Sequence, residues 1–390
     1  MIRYILRRLG QSAVLLLLIV GAVFGIFQLM PGDVTTILIQ PNIPPEARQE
    51  LIIQLGLDRP AHERFLKYLG GLARFDLGTS FPTPSFQGGR AVNAIIAERL
   101  PRTLLLFITV VLINYAIGFA LGKRIAWRRG RWTEHAATIS GVALLNVFTP
   151  VAALFYLWLF ALQFRLLPFG GWQTYGLWRR FIDRGLVSND VIVPMLATGA
   201  FLFVWILLVF AATREVDRPD RRRAARWAGV ALYLLGAAWW WRSAGLETLA
   251  LDVLTHMVLP VLTLVTLGFA GPMLVMRDSM LETMREDFIL TARAKGLPDH
   301  VVRDRHAART ALLPIATSFA LAVALVVDGA VITETLFSWP GMGHALLRSV
   351  LEQNFPVTMG VILVLGVAVL AAHLIVDVLY AWIDPRIRHE

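Results

Sequence analysis

The sequence predicts an all-α fold that crosses a membrane many times. Three observations carry this. Hydrophobic residues make up 57% of the 390 and charged residues 16%, against about 45–50% and about 25% in soluble domains. The mean hydropathy is +0.63. Apolar runs of about 20 residues, the length a helix needs to cross a bilayer core, recur along the whole chain. A formal charge of +10 would suit a nucleic-acid binder in a soluble protein. Here the basic residues cluster beside apolar runs, so membrane topology accounts for them. The absence of cysteine excludes disulfides, thiolate metal sites and thiol nucleophiles.

Eight spans are read near residues 9–30, 102–122, 135–163, 191–213, 224–242, 256–276, 311–336 and 358–383. The first, within 1–31, follows RYILRR, has no cleavage-site signature and exceeds a signal-peptide core, so it is expected to be retained. Residues 32–101 are expected to form an extracytoplasmic subdomain. It opens on PNIPPEARQELIIQLGLDRP, a Pro-rich turn and an amphipathic helix, and continues as the Gly/Pro-punctuated loop LARFDLGTSFPTPS. The second and third spans flank the basic run KRIAWRRGR. The fourth and fifth enclose the charged 214–223; the fifth is short and carries Arg226, although Trp239–Trp241 suit an interfacial belt. With a cytoplasmic N-terminus, 23 of the 37 basic residues fall inside and 13 outside, with Arg102 at a boundary. Seven of the outside ones lie in the long 31–101 segment, which counts weakly. Both termini and residues 123–134, 214–223 and 277–310 are therefore expected in the cytoplasm.

The polar stretch 286–314, EDFILTARAKGLPDHVVRDRHAARTALLP, suits a surface that docks onto another protein. Its first half reads as a short helix. Glu286 and Asp287 in the first turn and Arg293 and Lys295 in the last complement the helix dipole. Phe288 and Ala292 share a face at i, i+4, with Ile289 beside them. Ala292 and Ala294 are small enough for close approach, Gly296 stands at the C-cap and Pro298 ends the helix. A second, basic helical run follows from Asp299.

TARAKGL followed by RHAARTALLP resembles the cytoplasmic coupling loop, or EAA loop, of binding-protein-dependent ABC importer permeases, most closely the peptide/nickel branch. PGD at 31–33, LGLDRP at 55–60, FDLGTSF at 75–81, ERLPRTLLL at 98–106, LLPFGGW at 166–172, HMVLPVLTL at 256–264, FSWPGMG at 337–343 and VDVLYAWIDPRIR at 376–388 resemble the same branch in the same order. The resemblance implies the type I ABC importer transmembrane fold, a transmembrane domain over 92–383 with six core helices. Residues 188–252 depart from it as an insertion of two helices, whose charged loop carries no recognised motif and which are expected to pack at the periphery without lining the path. The resemblance also implies that the 277–310 loop enters a groove of a separate ATPase, with Glu286, Asp287, Phe288, Ala292, Arg293, Ala294, Lys295 and Gly296 at the contact. The implied partners are a second homologous permease, two ATPase chains that hold ATP and Mg, and an extracytoplasmic solute-binding protein. No cofactor is implied for this chain itself. Transport would proceed by alternating access across the cytoplasmic membrane of a bacterium or archaeon. Peptides are the implied substrate class; nickel complexes, opines and glycosides stay open. Two further departures stand out. Leu290-Thr291-Ala292 replaces Glu-Ala-Ala, as in the peptide branch, and QNFP at 353–356 lacks an acidic residue the family usually carries there.

The remaining chemistry-bearing residues bound the alternatives. No G-x-x-x-x-G-K-[ST] run occurs, so ATP hydrolysis belongs to another chain and this one is not expected to be an enzyme. Glu134, His135 and His256 lie at span ends and are expected to be hydrated. Intramembrane carboxylates are functional candidates by default. Asp328 and Glu334 would either face a translocation path or be paired structural groups. Trp339, Pro340 and Gly341 of FSWPGMG read either as part of an outer gate or as an interfacial turn anchored by Trp339. Gly21-x-x-x-Gly25 and Gly118-x-x-x-Gly122 could bring helices together. His300 and His306, six apart, do not suit a metal site. A secondary transporter would make Asp328 and Glu334 essential. A membrane-embedded enzyme acting on lipid-linked substrates would need a clustered catalytic set, which the sequence does not offer.

Overall fold

The computed structural model describes residues 2–29, 59–214, 218–324 and 330–383, and these are built from helices without a strand. Helix α1 (Ile2–Leu29) and a short helix α2 (Ala61–Leu72) meet near the end of α1: Phe24 stacks on Phe65 at 5.0 Å, and Arg64 donates to Gln28 Oε1 at 2.8 Å. Residues 59–91 do not form a core of their own. Leu77 and Phe86 are buried together with Val92, Ile95 and Ile96 of the next helix and with Met342 and Val357 from near the C-terminus. The amphipathic helix expected around 46–58 lies outside the described residues.

Helix α3 (Val92–Trp127) has 36 residues. At 1.5 Å per residue it is about 54 Å long, against about 30 Å of hydrocarbon, so the expected 102–122 span is only its middle. It packs along α10 (Ala270–Thr283), which continues α9 (Glu247–Gly268) as one 37-residue run. Glycine is required at this contact: a Cβ on Gly118 would stand 2.6 Å from Pro272 Cβ, and one on Gly122 would collide with the Met273 carbonyl. The Gly21/Gly25 pair does nothing similar, since a Cβ on Gly25 would meet open space.

The expected single span 135–163 is broken. Helix α4 (Trp132–Leu145) and helix α5 (Thr149–Tyr156), extended by a π-helical turn (Leu157–Gln163), meet at 97°. Pro150 explains the break. It is harmless in the first turn of α5, but in a continuous helix its ring would clash with the carbonyl of Asn146. A short helix α6 (Tyr175–Ile182) leads to the inserted hairpin, α7 (Asn189–Ala212) and α8 (Pro219–Ser243). The hairpin is stitched by Trp205 Nε1 to the Gly229 carbonyl at 2.9 Å, by Tyr233 to the Thr198 carbonyl at 2.6 Å and by Arg226 to Thr213 Oγ1 at 3.0 Å. The expectation of a wholly peripheral insertion needs correction. Val191 and Ile192 of α7 are fully buried among Leu105, Leu106, Trp178, Leu249 and Trp339, whereas among the described side chains of α8 none is buried.

After α10 come helix α11 (Asp287–Ala294), an irregular helix α12 (Asp299–Thr310) with a π-helical centre, and α13 (Leu312–Ala324), bent 52° from α12. Helices α14 (Ala330–Leu336), α15 (Met342–Leu351) and α16 (Phe355–Ile383) complete the chain. Asp328 lies outside the described residues. Among the described residues four helices are long and apolar enough to cross a membrane, or up to six if each bent pair counts as one span.

Candidate functional site

Within 277–310, helix α11 is held in a socket formed by its own chain. Helix α11 ends in a double hydrogen-bonded stop: Gly296 N donates to the Arg293 carbonyl at 2.9 Å and Leu297 N to the Ala292 carbonyl at 3.4 Å. Gly296 has φ +72°, a left-handed conformation that glycine adopts without Cβ strain, and Pro298 follows.

The face that α11 buries differs from the expected one. Ile289 is fully buried and Ala292 is 5% exposed, at i, i+3 spacing. Both sit against this chain's own Ala126, Met276, Met280, Val302, Ala307 and Ala308. Its own chain therefore backs Ala292, which accounts for the small side chain there. The outward stripe is Asp287, Leu290, Thr291 and Ala294, with Leu290 59% exposed and Phe288 41% exposed at its edge. The helical period allowed either face; the methionine-lined socket from α10 decides between them. Arg293 lies over the Trp127 ring at 5.5 Å, which ties α11 to the end of α3.

Ion pairs lash the socket together. Lys123 of α3 reaches Asp304 of α12 at 3.1 Å, and Arg303 holds the same carboxylate through two 2.9 Å bonds. The Arg303 guanidinium, with Lys123 adding to it, keeps the Asp304 carboxyl down at about 2. Glu134 is 3% exposed rather than hydrated: Arg277 of α10 binds it at 2.5 Å and Gly130 N at 2.7 Å. His256 is also buried, bonded through Nδ1 to the Asp252 carbonyl at 2.8 Å.

At the other end of α3 a second polar cluster gathers the FSWPGMG segment. Trp339 is fully buried and donates to the Arg102 carbonyl at 3.1 Å, which rules out an interfacial anchor. Glu334 is fully buried too. It accepts from Thr103 Oγ1 at 2.6 Å and from His344 N at 3.0 Å. Its carboxylate is enclosed within the chain, as a structural group would be. A Cβ on Gly341 would collide with that carboxylate and with Thr103 Oγ1. Pro340 gives its carbonyl to Arg102 Nη1 at 3.2 Å. Arg102 also bonds Glu98 at 2.8 Å and Ser188 at 2.6 Å and lies over Trp172 at 4.5 Å. Nothing in the sequence beyond its place at a span boundary singled out Arg102.

Asn354, in the QNFP departure, is fully buried. Its amide accepts from Phe81 N at 3.2 Å and donates to the Phe81 carbonyl at 3.0 Å and to Thr83 Oγ1 at 3.2 Å. A carboxylate could not make both kinds of bond.

Residues 114–389 match the family described as binding-protein-dependent transport system inner membrane component, and residues 1–107 match its N-terminal membrane component. The chain is 31% identical over 396 residues to the dipeptide transport system permease protein DppB of Escherichia coli K12, with all of both chains covered. It is 30% identical over 393 residues to a putative peptide permease of Brucella ovis, covering 100% of this chain and 99% of the other. The oligopeptide transport system permease protein AppB of Bacillus subtilis is 29% identical over 394 residues, with both chains fully covered.

Proposed function

Since the chain belongs to the binding-protein-dependent inner membrane component family and is a permease subunit of an ABC importer, we propose that it passes peptides into the cell. Its coupling helix is α11. Peptides are the cargo named for its relatives. The outward stripe of α11 enters a groove of a separate ATPase chain, two of which bind and hydrolyse ATP with Mg. A second homologous permease forms the other half of the pathway, and a solute-binding protein delivers cargo from outside. Both termini and the α11 loop lie in the cytoplasm. ATP-driven closure of the ATPases moves α11, and the socket passes that motion to α3, α10 and α12.

The carrying observation is that α11 buries Ile289 and Ala292 in its own chain and leaves Leu290 and Ala294 outward. Photo-crosslinking amino acids placed singly at 289, 290 and 294 in the assembled transporter test it. Positions 290 and 294 should capture the ATPase, while 289 should label only the permease. Capture at 289 with none at 290 would reverse the assigned face and sink the proposal.

A further inference from the structure

An apolar groove of about 990 Å³ runs between the inserted hairpin and the core helices. Leu105 and Thr109 of α3 form its floor, Leu196 and Phe203 of α7 one wall, and Leu251 of α9 and Phe319 of α13 the other. We propose that this groove holds an acyl chain of a membrane lipid, so that a bound lipid fills the join between the insertion and the core.

The chemistry of the lining selects that occupant. The two threonine hydroxyls along the groove are already used: Thr109 donates to the Leu105 carbonyl at 2.7 Å and Thr198 to the Pro194 carbonyl at 2.8 Å. Trp241 Nε1 in turn donates to Thr198 Oγ1 at 3.2 Å. The lining thus offers almost nothing to a ligand that needs hydrogen bonds. A peptide carries a donor and an acceptor at nearly every residue, and leaving them unmet costs several kcal/mol each. An acyl chain has none to satisfy. Helices α3, α7 and α9 qualify as membrane spans, and α13 does as half of a bent pair, so acyl chains surround the groove at this depth. Its mouth is also placed for a lipid. Trp241 and Glu247 line one end, beside the exposed Trp239 and Trp240, and tryptophans of this kind sit at headgroup level. In the orientation proposed above, that end faces the outer leaflet.

The test uses the complete transporter in native-lipid vesicles and a phospholipid with a photoreactive diazirine in its acyl chain. After illumination, adducts should concentrate in peptides covering 104–112 and 193–203. Gly199 lines the groove, and a Cβ there meets nothing within 4 Å, so Gly199→Phe can fill the space without disturbing the helix. It should abolish groove labelling. Gly236→Phe, at an equally open glycine outside the lining, should leave it intact. Adducts spread evenly over the lipid-facing surface, exposed Leu18 of α1 included, would mean ordinary annular lipid and overturn the proposal. So would a disulfide from Ala200→Cys to a cysteine introduced in the second permease, since that subunit would then fill the groove.

Discussion

Gly296 and Ala292 sit four residues apart and resist substitution for different reasons. At Gly296 the backbone is left-handed, φ +72°, so Gly296→Val strains the stop of α11 by about 1 kcal/mol or more. Nothing crowds a Cβ there, so folding should survive while the following loop shifts. Ala292→Trp instead overfills the socket, at a cost of about 1–3 kcal/mol, and should lift α11 off its own chain. Both variants should insert normally and capture substrate outside but lose ATP-driven uptake, and Ala292→Trp should also lower the melting temperature of the purified complex. Vesicle uptake and thermal melting, measured together, check this. Equal melting curves would show that Ala292 is not packed as described. Gly296 was legible in the sequence because a glycine before Leu-Pro is a local stop signal. The role of Ala292 was not, because which face is buried depends on methionines contributed by another helix. Asn354 was legible only as a departure; its function rests on the Phe81 backbone, 273 residues away in sequence.

At the scale of elements, periodicity and length revealed the helices but not their breaks. Pro150 was visible, yet a run of apolar residues on both sides of it reads as one span until the 97° turn is seen. The hairpin was legible as an addition because it interrupts the resemblance to importer permeases; its two spans preserve the inside–outside alternation, so the core can accept it. Its anchoring was not, since Val191 and Ile192 look like any lipid-facing pair until Trp178 and Trp339 close over them. The two ends of the hairpin should therefore respond differently to truncation. Ile192→Ala empties a filled site and should lower the melting temperature of the assembled transporter clearly. Leu235→Ala on α8, where the side chain is 70% exposed, should leave it within error. Equal effects would return the hairpin to the periphery.

For the whole molecule, charge asymmetry predicts the orientation, and the two polar clusters mark the opposite ends of α3. A chain without cysteine lends itself to single-cysteine labelling. Thr79→Cys should react with an impermeant thiol reagent on intact cells, and Asp220→Cys should react only after permeabilisation. Reaction of both from outside would undo the placing of the hairpin turn. Acid should loosen the end that holds Glu352. Burial opposes the charge of Glu352, but the Ser85 hydroxyl and its N–H, the latter at 3.0 Å, hold its carboxyl below the usual range. A lowered folded value means that this stabilisation is complete above the ordinary glutamate pKa and fades as pH falls through the lowered one. Melting temperature should therefore drop less between neutral and acidic pH in Glu352→Gln than in the unaltered protein; identical drops would remove Glu352 from the account.

The length of α3 has a mechanical corollary. Its close contact with α10, at Gly118 and Gly122, lies far closer to the Trp127 end than to the Val92 end. Taking residue 120 as a fulcrum, Trp127 lies about 10 Å to one side and Thr103 about 26 Å to the other. A stiff rod rocking about that point would turn each ångström of travel beneath α11 into about 2.5 Å at Thr103, where Glu334 and Trp339 are fastened. With the ATPase docked on α11 as proposed, unequal arms of this kind would make α3 an amplifier: a short stroke at the α11 end would become a wide swing at the other.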